Sequence, residues 1–398
     1  MSDLRRLLVI SHVVHYAWEG KLFAYGPYAR EIDVWADLFP EIVIASPVRR
    51  EKPAGDAIAL TRKNISVSPQ LETGGDNLRA KAVQLAALPA HFWRLSCAMH
   101  NADAIHVRCP GNLGFVGSLL APCFRKPRVA KYAGQWNGYP GERLATRLQR
   151  RILNSRWWRG PVTVYGKWPN QPAHVISFFT SMMTQLMVEQ ARRNARHKKL
   201  SVPLKVLFVG RLAPEKRVGA LIEAAGLLRG RWIPVTVTIV GGGPEERRLR
   251  NQVSHLRLSD MVKFTGALPY EAGLKWMDWG HCLVLPSQHS EGWPKVIAEA
   301  MCHGLVCLGV QHGQVPDMLD GQGLLLKTGE PDEIADCLEW VSKNPQEAEI
   351  LAQVGTRWAA QYSLDGLRAE LAKLLEREWK VSLRTPQSFS QAQCVQHV

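Results

Sequence analysis

The chain has 398 residues, of which 46% are hydrophobic and 21% charged, and its formal net charge is +15. This length exceeds what one hydrophobic core usually serves, so it predicts two domains. The composition excludes a low-complexity chain, and no apolar run approaches the roughly 20 residues that a membrane-spanning helix needs.

The positive charge is concentrated in the first half of the chain. Residues 1–200 carry 29 Lys and Arg against 13 Asp and Glu, a net of +16, whereas residues 201–398 carry 21 against 22, a net of −1. This asymmetry indicates an anionic partner for the first half.

The first half contains four apolar runs that predict strands, namely "RLLVISHV", "EIVIASPV", "AIHVR" and "RVAKYA". Helices are predicted near 26–39 and 143–157. The N-terminal apolar run is short and lacks a small-residue cleavage site, so it is interpreted as a strand and not a signal peptide. The eight cysteines form no C-x-x-C pair, and several lie in apolar segments, which favours free thiols in a reducing cytoplasm.

The polar, basic stretch 191–203 is typical of a linker between domains. We therefore predict an N-terminal domain over 1–195 and a second domain over 203–362. A C-terminal helix over 363–380 could cross back to the first domain. The polar tail 384–398 is expected to be disordered.

The second half alternates strands and helices in a regular order. Strands are predicted at 205–210, 234–243, 262–266, 282–287 and 305–310, with helices near 218–230, 244–258, 270–279, 294–303 and 331–342. Such alternation predicts an α/β fold with a parallel, doubly wound sheet. Ligands of such sheets bind beyond the carboxyl ends of the strands, so the loops after the strands are the candidate site.

Three of these loops carry distinctive residues. "RLAPEK" places Arg211 and Lys216 on either side of a turn, and "GGGPEE" opens a helix with Gly242 and Gly243. A guanidinium, an ammonium and a helix N-terminus in one crevice favour an anion, and a diphosphate fits best. Alternatively, Arg211 could form a surface ion pair with Glu215, and "GGGP" could be only a tight turn.

The third loop, "HSEGWPKVIAEAM", contains two glutamates eight residues apart. Pro294 suits the first position of a helix and Gly304 the residue after its end. Glu299 then lies about 7.5 Å along the helix axis from Pro294. The sugar and the ribose of a nucleotide-sugar flank the diphosphate at a comparable separation. Glu291 could bind sugar hydroxyls and Glu299 the ribose, with the N–H groups of Gly292 and Trp293 between them. Taken alone, Glu291 could equally be an ordinary acid of a helix first turn.

Together these residues resemble glycosyltransferase family 4, whose fold is GT-B. The resemblance covers roughly 130 residues in the family's order, which is far more specific than one short motif. Its motifs are "GRLAPEK" from Gly210, "GGGP", "FTG", "PSQHSEGWPKVIAEAMCHG" and "DGQGLLL". The first half matches more loosely, through "GPYAREIDVWADLF" from Gly26, and this resemblance places Gly26 on the acceptor or sugar side of the site.

The resemblance implies two Rossmann-like domains facing a central cleft, with the acceptor bound by the first. Arg211 and Lys216 correspond to the basic pair that neutralises the donor diphosphate, Glu291 to the acid at the transferred sugar, and Glu299 to the acid that holds the ribose. Members transfer sugars with retention of configuration and commonly need no metal. This chain has no D-x-D pair, and its two basic residues could supply the charge of a metal ion.

One position departs from the family's pattern. Many members carry H-x-H after a strand of the first domain, whereas here the stretch is "AIHVRC", with Arg108 at the second histidine position. Arg108 could bind an acidic sugar or an acceptor phosphate, or it could be salt-bridged. His106 is interpreted as a packed strand residue.

The segment "GERLATRLQRRILNSRWWRG" has six arginines and one acid, Glu142. Charge runs are usually solvated helix faces. The alternative is a helix at the surface of an anionic membrane, with Trp157 and Trp158 at the headgroup level. Because the sequence shows no transmembrane segment to bring an enzyme to lipid-linked acceptors, we expect the basic surface to hold a cytoplasmic enzyme loosely at the inner face of the plasma membrane.

The leading hypothesis is a retaining glycosyltransferase that makes a surface polysaccharide or glycolipid. It would use a nucleotide-sugar donor and a saccharide or lipid-linked acceptor, and no other cofactor. A two-domain nucleotide-sugar epimerase is the enzymatic alternative. A basic nucleic-acid binder is the other, although no zinc motif or aromatic RNA-binding signature supports it.

Overall fold

The computed structural model describes residues 4–75, 77–138, 142–168, 170–288 and 292–383. The chain forms two compact units. The first comprises Met1–Phe178 together with Leu364–Val398, and the second is Phe179–Ser363.

The first unit is built on a sheet in which a parallel core is extended by an antiparallel hairpin. Its strand order is β10-β9-β8-β7-β1-β4-β2-β3-β5, with β6 also paired to β4. The parallel strands include all four that the apolar runs predicted, and the β2–β3 and β3–β5 pairs are antiparallel. The ranges are β1 Arg6–Ile10, β2 His15–Trp18, β3 Lys21–Tyr25, β4 Glu41–Arg49, β5 Ala57–Ala59, β6 Ile65–Gln70, β7 Ala104–Cys109, β8 Arg128–Tyr132, β9 Val162–Tyr165 and β10 Val175–Phe178.

Helices cover both faces of this sheet. They are α1 Gly26–Ala36, α2 Leu78–His100, α3 Asn112–Leu120 and α4 Leu144–Asn154. Side chains alternate along a strand, so neighbouring residues of β7 face opposite sides. Ile105 and Val107 share a core with residues of α2, α3 and α4, whereas the ring of His106 packs on Trp35 of α1. The layer of α2, α3 and α4 therefore lies on one face and α1 on the other.

The second unit is the regular α/β structure that the alternation predicted. All strand pairs are parallel, in the order β13-β12-β11-β14-β15-β16. The strands are β11 Leu204–Val209, β12 Val235–Val240, β13 Val262–Gly266, β14 Cys282–Leu285, β15 Val306–Val310 and β16 Leu324–Leu326. The helices are α5 Gln185–Ala195, α6 Val218–Gly230, α7 Glu246–His255, α8 Tyr270–Trp279, α9 Lys295–Cys302, α10 Val315–Leu319, α11 Pro331–Lys343 and α12 Pro345–Ala359. Cys282, Cys302 and Cys307 are buried free thiols of this core.

The last helix, α13 Leu364–Trp379, belongs to the first unit. It packs on α1, and its Arg368 pairs with Asp37 at 3.0 Å. The segment 179–195 belongs to the second unit, where α5 packs on α8, α9 and α12. The sequence placed this segment in the first domain because its polar, basic surface masks the buried Val188 and Ala191.

Candidate active site

The candidate site of the second unit lies where the strand order reverses, between β11 and β14. From β11 the sheet continues to β12 on one side and to β14 on the other, so the loops after these two strands diverge and leave a crevice at their carboxyl ends. The predicted residues follow these strands directly. Arg211 and Lys216 follow β11, the glycine run follows β12, and α9 follows β14.

The glycine run after β12 packs closely against the backbone of the loop after β11. A Cβ on Gly241 would lie 1.9 Å from the carbonyl oxygen of Gly210, and one on Gly243 would lie 2.3 Å from that of Leu212. Gly241 also has φ +140°, which favours glycine. The Leu212 N–H donates to the Gly242 carbonyl at 3.0 Å. These glycines allow the two loops to pack together, in agreement with the interpretation of "GGGP" as a tight turn. Gly242 also borders the cavity described below.

Arg211 and Lys216 lie at the start and end of the loop after β11. Arg211 is exposed and Lys216 half-buried. Arg211 has no ion pair with Glu215 or with any other described carboxylate. The Gln288 N–H donates to the Glu215 carbonyl at 3.3 Å, so this loop lies beside the segment that follows β14. A guanidinium that forms no ion pair with a described carboxylate is available to an anion at this edge of the sheet.

A cavity of about 240 Å³ opens beside Arg211 and is lined by the ends of β11 and β12, the loop after β13, and α8. Gly210, Arg211, Gly242 and Glu299 all line it. Glu299 is 8% exposed, and the Tyr270 hydroxyl donates to its Oε1 at 2.9 Å. The sequence did not single out Tyr270, whose place beside Glu299 depends on how α8 packs against α9.

The segment between β14 and α9 is described from Gly292 onward. Glu291 and His289 lie outside the described residues. Gly292 is buried, and α9 begins at Lys295, one residue after the predicted start, with Pro294 at its N-cap position. The Trp293 ring packs against Phe179, Trp358 and Tyr362. This aromatic cluster fixes the entry to α9.

In the first unit, Arg108 forms a buried ion cluster. Its Nη1 pairs with Glu31 Oε1 at 2.5 Å, and Lys131 pairs with Glu31 Oε2 at 2.6 Å. Burial would raise the pKa of Glu31, but the charges and hydrogen bonds of Arg108 and Lys131 lower it well below its usual range. The structure therefore shows the salt-bridged alternative for Arg108. An acceptor-side role for this residue stays a prediction.

A cavity of about 1180 Å³ lies at the carboxyl edge of the first unit's parallel strands. His12, Arg49, Lys81, Arg143 and Gln149 are among its lining residues. Neither of the predicted acceptor-side residues lines it. Arg108 is in the ion cluster, and Gly26 is buried at the start of α1, where its N–H donates to the Asp56 backbone carbonyl at 2.9 Å.

His12 is the histidine that the structure places in this cavity. A Cβ on Gly111 would lie 2.2 Å from His12 Nδ1, so only glycine there leaves room for the ring. Burial lowers the pKa of His12, and the charge of Arg108 lowers it further, which favours a neutral imidazole. The sequence alone could not show which of His12 and His15 is a ligand-binding residue and which is packed. The His15 ring is buried, and its Nδ1 lies 2.8 Å from the Ser46 hydroxyl.

His106 is a core residue, as the sequence suggested. It is 0% exposed, it stacks on Trp35 at 4.2 Å, and neither ring nitrogen has a hydrogen-bond partner within the described residues. Burial, which is the largest cause, and the charge of Arg108 lower its pKa well below 6.5. A neutral ring enclosed in this way does not suit proton transfer to a substrate.

Replacing His106 with phenylalanine is therefore expected to flatten the acid limb of the stability profile. Below about pH 6.5 the unfolded chain binds a proton on this histidine that the folded chain does not bind. Stability is therefore full above that pH and falls by up to about 1.4 kcal/mol per pH unit below it. Urea unfolding between pH 7.5 and pH 5 should show a shallower loss in the variant. Parallel profiles for the two proteins would contradict this assignment.

The basic segment around α4 differs from the predicted membrane helix in two ways. Trp158 is 0% exposed and packs in the core of the first unit, so its assignment to the headgroup level was wrong. Arg150 forms a bidentate ion pair with the buried Glu142. Trp157, Arg147 and Arg151 remain exposed. Local sequence could not distinguish the two tryptophans, because their burial depends on contacts with β8 and β9.

Within the described residues, no group of three or more His, Cys, Asp or Glu side chains is placed to hold a metal ion. Over the same residues, no helix combines the length and apolar character needed to cross a bilayer.

Comparison with known proteins agrees with this geometry. Residues 190–358 match the family model described as "Glycosyl transferases group 1". The amylovoran biosynthesis glycosyltransferase AmsK of Erwinia amylovora is 28% identical over 60% of this chain and 58% of its own length. The alpha-D-kanosaminyltransferase of Streptomyces kanamyceticus is 29% identical over 51% of this chain and 54% of its own. The chain thus spans little more than half the length of these curated relatives.

Solved structures match over nearly the whole chain. Anabaena HepE in complex with UDP and glucose is 17% identical, with a TM-score of 0.66. The match covers 93% of this chain and 99% of the HepE chain. The sucrose-phosphate synthase of Thermosynechococcus elongatus is 18% identical, with a TM-score of 0.69. The match covers 94% of this chain and 98% of the synthase chain. The fold is therefore that of the GT-B glycosyltransferases. Within it, residues 190–358 carry the similarity to the group 1 glycosyl transferases.

Proposed function

We propose that the protein is a retaining glycosyltransferase that moves a sugar from a nucleotide-sugar to a saccharide or lipid-linked acceptor. The observation that carries the proposal is the convergence of Arg211, Gly242 and Glu299 on one cavity at the strand reversal of the second unit. The family match of residues 190–358 supports this assignment. The name of the amylovoran biosynthesis relative favours polysaccharide synthesis as its setting.

The donor's nucleoside would occupy the cavity. Its volume of about 240 Å³ is below the 300–1,000 Å³ typical of sites that enclose a whole ligand, so it suits one part of the donor. Glu299 is nearly buried there and oriented by Tyr270, and its carboxylate can accept hydrogen bonds from the two ribose hydroxyls. Apolar residues on the loop after β13, such as Leu268, would contact the base.

The diphosphate would leave the cavity past Arg211 toward Lys216. During transfer the bond between the sugar C1 and the phosphate oxygen breaks, and the electron pair leaves with the diphosphate. The acceptor hydroxyl forms the new bond to C1, and its proton passes to a phosphate oxygen. Arg211 and Lys216 would stabilise the charge that develops on the leaving group, which is the contribution a metal ion would otherwise make. Glu291 would hold hydroxyls of the transferred sugar.

The acceptor would bind in the first unit, and we place the enzyme at the inner face of the plasma membrane, where lipid-linked acceptors are available. The first unit carries 29 Lys and Arg against 16 Asp and Glu, a net of +13. That charge suits an anionic acceptor or an anionic membrane.

Donor screening with detection of released nucleotide tests the proposal. We expect release from one nucleotide-sugar class, an α-linked product from an α-linked donor by NMR, and full activity in EDTA. A β-linked product would refute retention, and loss of activity in EDTA would refute metal independence. Conversion of the sugar without nucleotide release would indicate an epimerase instead.

A further inference from the structure

Helix α2 presents an apolar stripe to solvent. Ala82, Leu85, Ala86, Pro89 and Trp93 recur at helical spacing, and all five are exposed. Leu85 is 69% and Trp93 73% exposed. An isolated helix on a protein surface normally turns polar residues outward, so an apolar outer stripe indicates a surface that something covers.

The opposite side of α2 accounts for its attachment to the unit. Leu95 and Met99 are buried in the core shared with α3 and α4, and His91 is also buried. The outer stripe is therefore not needed for packing within the first unit. It extends about 16 Å along the helix from Ala82 to Trp93, at the standard rise per residue.

The surface around this stripe is cationic. Helices α2, α3 and α4 contain no Asp or Glu, and Lys81, Arg94, Arg147 and Arg151 are exposed on them. Among the described residues, two acids that flank these helices are already engaged. Glu142 is paired with Arg150, and Asp103 accepts from the N–H groups of Arg5 and Arg6. On the other face of the sheet, α1 and α13 carry several acids.

Exposed leucines on α4 extend the apolar surface. Leu144 is 78% and Leu148 47% exposed, one helical turn apart. The N-terminal parts of α2 and α4 border the same cavity, which Lys81 and Gln84 line together with Leu144 and Thr146. Leu144 of α4 therefore lies at the cavity together with the basic residues Lys81 and Arg143.

We propose that this α2–α4 surface docks on an anionic lipid bilayer. Exposed tryptophan and leucine among basic residues are the composition of helices that lie in the membrane interface. Each Lys or Arg close to an anionic leaflet adds about 1 kcal/mol of attraction. A second copy of the chain docked through the same surface is the competing occupant, but it would bring one cationic layer against another. Charge complementarity therefore selects the bilayer.

Docking in this way would turn the large cavity of the first unit toward the lipid. The head of a lipid-linked acceptor could then enter between α2 and α4 while its chain stays in the bilayer. This step rests on the proposed function, whereas the docking surface itself does not.

Vesicle flotation of the full chain tests the docking surface. We compare vesicles of phosphatidylcholine alone with vesicles that also contain phosphatidylglycerol. The wild type should float with the anionic vesicles, and high salt should weaken its binding. Leu85→Ser with Trp93→Ser should reduce binding about tenfold or more, since both remove apolar area from the interface.

The matched control is Ile350→Ser with Trp232→Ser, in which an aliphatic residue and a tryptophan of the second unit, 61% and 90% exposed, are changed in the same way. This variant should bind vesicles like the wild type, and thermal unfolding should show that both variants are folded. Equal binding by both variants, or no binding to anionic vesicles, would overturn the proposal. So would a lipid-free dimer that only the α2 variant disrupts.

Turnover of the donor with a soluble acceptor separates this inference from the proposed function. The α2 variant should retain nucleotide release, because the changed residues are far in sequence from the donor cavity and on the other unit. Retained turnover without flotation overturns only the docking surface. Flotation without nucleotide release from any donor overturns only the proposed function.

Discussion

Alanine at Arg211 or at Lys216 is expected to lower donor turnover by at least about 100-fold, because each would remove a charge from the leaving diphosphate. Arg211 is exposed and has no described carboxylate partner, so its truncation should leave the fold intact. Initial rates at saturating donor, with thermal unfolding as the check on folding, measure the effect.

The matched control for Arg211 is Arg248→Ala. Arg248 is also exposed and on the second unit, but it lies on α7 and pairs with Glu245 at 2.5 Å. Its replacement should leave turnover within about twofold of the wild type, since surface ion pairs contribute little. Near-normal rates in both Arg211→Ala and Lys216→Ala would refute the diphosphate site.

The second prediction separates the two glutamates. Glu299→Gln should mainly weaken binding of the nucleoside diphosphate, since contacts to the ribose are the same in the ground and transition states. Glu291→Gln should mainly lower kcat, because its proposed contacts are at the reacting sugar. Calorimetric titration with the free nucleoside diphosphate should therefore show a loss of affinity in the Glu299 variant alone.

Tyr270→Phe provides the graded control for Glu299. It removes the hydroxyl that donates to Glu299 Oε1 at 2.9 Å but keeps the carboxylate, so affinity should fall less than in Glu299→Gln. A hydrogen bond to a charged group contributes about 1.5–3 kcal/mol, which sets the upper limit of the Tyr270 effect. Equal loss of nucleotide affinity in the Glu291 and Glu299 variants would show that the division of roles is wrong.

The elements that the sequence predicted well are those with a strong local pattern. The parallel strands are continuous apolar runs because both of their faces are buried. By contrast, the hairpin strands β2 and β3 are short and only partly buried, and no run marks them. Helix α2 was missed because apolar residues lie on its exposed as well as its buried side, and Pro89 interrupts it.

By itself, the sequence determined the alternation of strands and helices in the second half, the loops that carry Arg211 and Lys216, and the eight-residue spacing of the glutamates. These are local properties, set by periodicity and by residues adjacent in the chain. Only the tertiary structure decided that Arg108 pairs with Glu31, 77 residues earlier, that Tyr270 orients Glu299, and that Trp158 is buried while Trp157 is exposed. Each of these depends on which distant segments pack together, and the burial of a side chain is a property of that packing and not of its own neighbours in the chain.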